Sequence, residues 1–121
     1  MNNSTLNMTN NKKENIPPVA VAHNAKKGLE FRDKFKRGRT EVGIKRAQQL
    51  SNREQIDEAT IKKMYSYFAR HQVDKRGQNF GNEENPSNGY IAWLLWGGDA
   101  GKEWSKQVRE ALADMQQKTG K

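Results

Sequence analysis

Residues 85–104 read NPSNGYIAWLLWGGDAGKEW, and this stretch predicts the centre of the fold. Every residue in 90–96 is apolar or aromatic, so a helix here has no face suited to water and has to be enclosed by other elements. Burying one large apolar side chain stabilises a fold by roughly 1.5 to 3 kcal/mol, and no other stretch holds as many of them. We therefore predict a buried central helix over about 87–96, capped by Ser87 or Asn88.

The segments on either side have the periodicity of amphipathic helices. Four such helices are predicted, at 19–36, 41–50, 57–73 and 99–117. The last three each begin at a residue suited to capping: Thr40, Asp57 and Asp99. Gly97 and Gly98 would end the central helix, because glycine readily adopts the left-handed conformation of helix ends. No useful length of sequence alternates with period two, so we predict an all-α fold, a compact bundle of four or five short helices.

Helical spacing also predicts which side chains face the core. In the segment 41–50 it turns Val42 and Leu50 inward, together with Ala47, and it turns Lys45 and Arg46 outward. The last helix carries one continuous apolar stripe, made of Trp104, Val108, Ala111, Leu112 and Met115. These faces would enclose the central helix.

Both ends of the chain are predicted to lie outside the domain. Residues 1–18 are predicted to be a disordered, Asn- and Lys-rich tail, because they have too few apolar side chains to offset the entropy of ordering. The domain then spans 19–117, and residues 118–121 fray. Within the domain, 75–88 has the composition of a loop, and its large apolar residue Phe80 is expected to pin it to the core.

Catalytic constellations are missing from the sequence. There is no cysteine, which excludes a disulfide framework, a thiolate metal site and a cysteine nucleophile. The GxxxxGK[ST], GxSxG and HExxH motifs do not occur. The glycines of 97–101 follow a helix instead of a strand, so they do not make a dinucleotide fingerprint. His23 and His71 lie far apart without ligand-like spacing. We predict a protein that is not an enzyme and has no metal site and no cofactor.

Positive charge is concentrated in one part of the chain. The net charge is +8, and residues 20–50 hold nine Lys or Arg and three Asp or Glu, a net charge of +6. A basic surface of this kind suits the phosphate backbone of nucleic acid, because each cation near a phosphate displaces condensed counterions. The alternative is a solvated face that keeps a small protein soluble. The candidate nucleic-acid-binding residues are Lys26, Lys27, Arg32, Lys34, Lys36, Arg37, Arg39, Lys45 and Arg46.

Recognition of a particular base sequence is not expected. The predicted helices 41–50 and 57–73 invite comparison with a helix-turn-helix, but the connection of about six residues exceeds the usual three or four. The longest apolar run, 90–96, is far shorter than the roughly 18 to 20 residues that span a bilayer. We therefore expect mainly backbone contacts with weak sequence selectivity, and no membrane partner.

Three stretches carry a resemblance to a known group of proteins: AKKGLEFRDKFKRGRTEVGIKRAQQL, IKKMYSYFARHQVDKRGQNFG and NPSNGYIAWLLWGGDAGKEW. Through them, residues 25–104 resemble an uncharacterised small domain encoded by tailed bacteriophages and prophages. The resemblance implies an accessory or head-associated phage protein, located in the cytoplasm of the host cell or associated with the virion. It implies no particular functional residues.

Two hypotheses of different classes follow. The first is a phage-related helical protein that binds DNA or RNA by its phosphate backbone. The alternative is a protein-interaction module, either a minor virion or head component or a phage inhibitor of a host protein. Such a module would dock on an acidic surface of a phage or host protein through the same basic face or through the loop 75–88.

Overall fold

The computed structural model describes residues 15–38 and 40–119, without the side chains of 117–119. These residues form five α-helices and no strand. The helices are α1 (Val19–Phe35), α2 (Glu41–Ser51), α3 (Glu58–His71), α4 (Asn88–Leu95) and α5 (Gly98–Thr119), with a short 3₁₀ helix (Gln72–Arg76) after α3. The predicted all-α bundle is confirmed.

Helix α4 is the centre of the bundle, as predicted from its apolar sequence. It contacts each of the other four α-helices and the 3₁₀ helix. Ile91 and Leu95 are fully buried, and Trp93 is 2% exposed. The hydroxyl of Ser87 caps the helix by accepting a 3.0 Å hydrogen bond from the backbone N–H of Tyr90. The tertiary contacts of α4 thus hold every other helix in place.

Trp93 is a core residue that contacts several elements of the fold. Its ring lies 4.8 Å from that of Phe68 of α3, in an edge-to-face arrangement. Phe80 packs 5.9 Å from the same ring, so the predicted pinning of the 75–88 loop is confirmed. The indole N–H donates a 2.9 Å hydrogen bond to Asp99. The buried ring therefore joins α3, α4, α5 and the loop.

Asp99 is not the N-cap of the last helix, and that prediction is wrong. Helix α5 already begins at Gly98, because Gly97 and Gly98 both adopt positive φ angles, 109° and 68°, and turn the chain within two residues. The Asp99 carboxylate instead binds the Trp93 indole and lies 2.8 Å from the Lys75 ammonium. Burial alone would raise the pKa of Asp99, but the hydrogen bonds from Lys75 and Trp93 lower it overall.

The buried face of α2 differs from the predicted one. Ala47 and Leu50 are buried as expected, but Val42 is 57% exposed and Arg46 only 7% exposed, so both of those predictions are wrong. Gly43 is buried instead of Val42, and a Cβ there would lie 3.4 Å from the Leu95 side chain of α4. The buried face of α2 is thus formed by Gly43, Arg46, Ala47 and Leu50.

The stripe predicted on α5 is only partly covered. Trp104 and Val108 pack against the core as partly buried side chains. Further along the helix, Ala111 is exposed and Met115 is 44% exposed. The first half of α5 therefore belongs to the core, while the second half contributes less to it.

Residues placed in the predicted N-terminal tail take part in packing. Asn15 and Ile56 exchange two hydrogen bonds: the Ile56 N–H donates to the Asn15 carbonyl at 2.9 Å, and the Asn15 amide donates to the Ile56 carbonyl at 3.2 Å. Arg53 Nε donates to the Pro17 carbonyl at 2.7 Å. Packing against the α2–α3 connection thus begins by residue 15. The rest of the predicted tail, 1–14, and the end of the chain, 120–121, lie outside the described residues.

Helix α3 begins with the predicted cap. The Asp57 carboxylate accepts a 2.8 Å hydrogen bond from the Thr60 N–H, and hydrogen bonds from Thr60 hold the pKa of Asp57 below its ordinary value of 3.8. Asp57→Ala should lower the free energy of unfolding by about 1 kcal/mol at neutral pH. Asp57→Asn keeps a capping oxygen and should stay near wild type.

The contribution of this cap should depend on pH. Because the folded-state pKa of Asp57 is lowered, its contribution is complete above the ordinary pKa and is lost as the pH falls through the folded value. Urea denaturation at several pH values should show the wild-type advantage over Asp57→Ala shrinking under acidic conditions. A difference that stayed constant with pH would contradict this account.

Candidate nucleic-acid interface

Two of the predicted cations hold the 75–88 loop. The Lys27 ammonium forms an ion pair with Glu83, and the hydrogen bond between them raises the pKa of Lys27 and lowers that of Glu83. Arg37 donates hydrogen bonds of 2.7 Å to the Asn85 side chain and to the Pro86 carbonyl. Both cations therefore have structural partners far away in sequence.

Two further candidates lie partly or wholly inside the protein. Arg32 is half-buried and has its guanidinium 3.4 Å from the Asp33 carboxylate. Arg46 is 7% exposed, with its guanidinium 5.2 Å from the centre of the Trp96 ring. Arg46 also donates a 2.6 Å hydrogen bond to Gln49. The structure thus removes both from the solvated face on which the sequence placed them.

Four candidates remain exposed: Lys26, Lys34, Lys36 and Lys45. Among the described residues, no carboxylate lies within 4 Å of their ammonium groups. On α1, however, Lys26 and Lys34 alternate with Glu30 at intervals of four residues, which places all three on one face. The ninth candidate, Arg39, lies outside the described residues. The structure therefore does not bring the predicted set together as one basic face.

A basic surface does occur between α2 and α3. These helices bring no pair of Cα atoms within 8 Å across their described lengths, and the space between them is a cavity of about 430 Å³. We call it the basic groove, and the residues lining it are Val42, Lys62, Lys63, Ser66, Arg70 and Trp96. Three of these six are cations, and no carboxylate of the described chain is among them.

The helical repeat of α3 produces the cationic wall of the basic groove. Lys63, Ser66 and Arg70 recur at intervals of three and four residues along one side of α3, whereas Ile61 and Phe68 face the core. Lys62 at the edge of this wall lies 3.6 Å from Glu58. Lys63 and Arg70 are therefore the wall's main cations.

The opposite wall is formed by α2. Val42 lines the cavity, and Lys45 follows it by three residues, so the two side chains are neighbours on the helix surface. Exposed Lys45, one of the cations predicted to bind nucleic acid, is therefore next to a lining residue of the basic groove. The groove separates α2 from α3, and two helices that do not pack together do not make a helix-turn-helix.

Lys62, Lys63 and Arg70 are not among the residues predicted from the sequence. Residues 51–80 hold six Lys or Arg but also four Asp or Glu, so their net charge is only +2. The acids are mostly located near the start of α3, while Lys63 and Arg70 lie further along it. A count by helix face would have found the cationic wall.

A larger cleft, of about 740 Å³, lies between the turn after α1, the 3₁₀ helix and the start of α4. Its lining includes Lys36 and Arg37 but also Asp74. The Asp74 carboxylate lies 3.1 Å from the His71 ring nitrogen, and it would be 3.4 Å from a Cβ added at Gly89 in the first turn of α4. A carboxylate thus already faces this helix end, and the cleft fits an anionic ligand less well than the basic groove does.

Within 15–38 and 40–119, no three His, Asp or Glu side chains are placed to hold a metal ion. No helix in that part of the chain is long and apolar enough to cross a membrane. Comparisons of the chain with protein-family models, with characterised proteins and with solved structures found no match. The resemblance to a phage domain therefore stays a prediction, and function has to be argued from the geometry.

Proposed function

We propose that the chain is a non-enzymatic protein that binds the phosphate backbone of DNA or RNA in the basic groove. The observation that supports this best is the lining, which contains three cations and no Asp or Glu of the described residues; of these cations, Lys63 and Arg70 have no carboxylate within 4 Å in the described part of the chain. From the resemblance to phage domains we further propose an accessory role during phage growth in a host cell, or in the virion.

The spacing of the cations fits a backbone. Lys63 and Arg70 are seven residues apart, which is about 10 Å along a helix axis, so the two side chains can contact different phosphates of one backbone. On α2, Lys45 lies next to the lining residue Val42. Trp96 is only 8% exposed, which leaves little of its ring for stacking on a base. These contacts confer affinity with weak sequence selectivity.

Paired charge reversals test where the nucleic acid binds. Lys63→Glu with Arg70→Glu should weaken binding about tenfold or more and reduce the slope of log affinity against log salt by about 2, one for each lost phosphate contact. Lys26→Glu with Lys34→Glu changes the net charge equally but acts outside the groove, and we expect a much smaller loss. Fluorescence anisotropy with labelled duplex and single-stranded DNA and with RNA, at about 50 and about 200 mM salt, measures both.

Two results would contradict the proposal. One is the failure of the wild-type protein to bind any of these nucleic acids at the lower salt concentration. The other is an equal loss of affinity in the two double variants, because that would show only a response to total charge.

A protein partner with an acidic surface is the second candidate, and Val42 favours it. This side chain is 57% exposed at the wall of the basic groove. A phosphate backbone gains little from an apolar contact, whereas the buried core of a protein interface is largely apolar. Val42→Ser should weaken capture of such a partner from host or infected-cell lysate while leaving nucleic-acid affinity almost unchanged. If Val42→Ser lowered nucleic-acid affinity but left capture of the protein partner unchanged, this candidate would be contradicted.

A further inference from the structure

Arg46 is a buried cation that forms no ion pair within 4 Å with a carboxylate of the described residues. It is 7% exposed, and its hydrogen-bond acceptor is the neutral side-chain oxygen of Gln49, 2.6 Å from Nη1. In the described part of the chain its Nε has no hydrogen-bond partner, and no carboxylate lies within 4 Å of it. Burial lowers the pKa of Arg46, and the charge of Asp57 opposes this only in part.

Such an arrangement is costly to the fold. Buried charges in proteins are normally paired, because desolvation disfavours the charged form. A guanidinium retains its proton even when buried, so the charge stays and its contact with Trp96 compensates only partly. An apolar side chain of similar length would fill the same space without this penalty. The fold alone therefore gives little reason for an arginine at this position.

The location of Arg46 supplies a reason. The Arg46 guanidinium packs on the Trp96 ring, and Trp96 also lines the basic groove. Val42, another lining residue, precedes Arg46 by four positions and so lies on the same side of α2. The guanidinium thus packs on a residue of the basic groove, whose lining cations are Lys62, Lys63 and Arg70.

We infer that Arg46 is a phosphate-binding residue of the basic groove. A phosphate held by Lys63 and Arg70 would replace the neutral Gln49 oxygen as the acceptor of the Arg46 guanidinium with a charged oxygen. Arg–phosphate pairs of this kind are charge-assisted and can be bidentate. The inference rests on the proposed function for the source of the phosphate, a nucleic-acid backbone, but the site itself can be tested with inorganic phosphate.

Arg46→Met is the decisive variant. In chloride buffer it should be at least as stable as wild type, because an apolar side chain replaces a buried, uncompensated charge. Inorganic phosphate at matched ionic strength and pH should raise the wild-type melting temperature by about 3 °C or more once the site is saturated. The Met variant should lose that rise, Arg46→Lys should keep part of it, and Lys26→Met, which removes an exposed charge, should keep all of it.

Three results would overturn the inference. They are a wild-type protein that does not respond to phosphate, a Met variant that keeps the full response, and a Met variant that is unfolded in chloride, which would show that the fold itself needs the guanidinium. Affinity for labelled DNA, measured in parallel, should fall about tenfold in Arg46→Met.

The two readouts separate this inference from the proposed function. A phosphate response that depends on Arg46 in a protein without nucleic-acid affinity would uphold the site and contradict the proposed function. Equal DNA binding by wild type and Arg46→Met would uphold the proposed function and contradict the inference about Arg46.

Discussion

Trp93→Ala should lower the free energy of unfolding by about 3 to 5 kcal/mol, the range found when a large buried aromatic side chain is removed. The ring is 2% exposed and packs against Phe68 and Phe80, so its removal leaves a cavity where α3, α4 and the loop meet. It also leaves Asp99 without its indole donor. Small domains have about 5 to 15 kcal/mol of total stability, so this one change removes much of it.

Urea denaturation followed by circular dichroism measures the loss, and two controls identify its source. Trp93→Phe keeps most of the ring but not the hydrogen bond to Asp99, and it should fall between wild type and Trp93→Ala. Trp104→Ala removes a half-buried tryptophan and should cost less. If Trp93→Ala stayed within about 1 kcal/mol of wild type, α4 would not be the centre of the core, since even average substitutions cost that much.

Gly28→Ala should destabilise the protein although alanine favours helices. A Cβ at this position would lie 2.8 Å from the backbone nitrogen of Leu95 and 3.1 Å from the backbone carbon of Leu94. Because backbone atoms cannot move aside as a side chain can, α1 and α4 would have to separate. Overpacking costs about 1 to 3 kcal/mol, and at this close contact we expect it to exceed the roughly 1 kcal/mol that alanine gains over glycine in a helix.

Thermal and urea denaturation should both show Gly28→Ala as less stable than wild type. His23→Ala, at an exposed position of the same helix, is the matched control and should be close to neutral. A stabilising effect of Gly28→Ala would mean that helix propensity outweighs the close contact, and it would contradict the tight packing of α1 on α4.

The elements that depend on local chemistry were predictable from the sequence. The all-apolar run of α4 required burial, and the caps at Ser87 and Asp57 act within three residues of chain. What sequence could not show is the approach of one helix to another. Glycine has a low helix propensity, so Gly28 should weaken α1. In the structure, however, Gly28 lets α1 pack closely against α4.

The same limit explains the errors in α2. The apolar pattern favoured Val42 as a core residue, because glycine has no side chain to count as apolar. In the structure Gly43 and Arg46 are buried, whereas Val42 is exposed. The buried face of α2 therefore includes Gly43 and Arg46 instead of the predicted Val42.

The candidate site was harder to predict than the fold. Charge totals do not show which cations already have partners, and Lys27 meets Glu83 from a segment 56 residues away. Arg37 meets the Asn85 side chain in the same way, 48 residues away. The wall formed by Lys63 and Arg70 was hidden by acids in the same segment. Only the packing of α2 and α3 around Trp96 shows that these cations border one groove.

The proposed location of phosphate binding is tested most directly by an NMR titration of the labelled protein with a short DNA duplex at low salt. We predict that the largest chemical-shift changes occur at Lys63, Ser66 and Arg70 and at the indole N–H of Trp96, and that the outer face of α1 around Lys26 changes little. Shift changes concentrated on α1, or the absence of any change at the basic groove, would contradict the account.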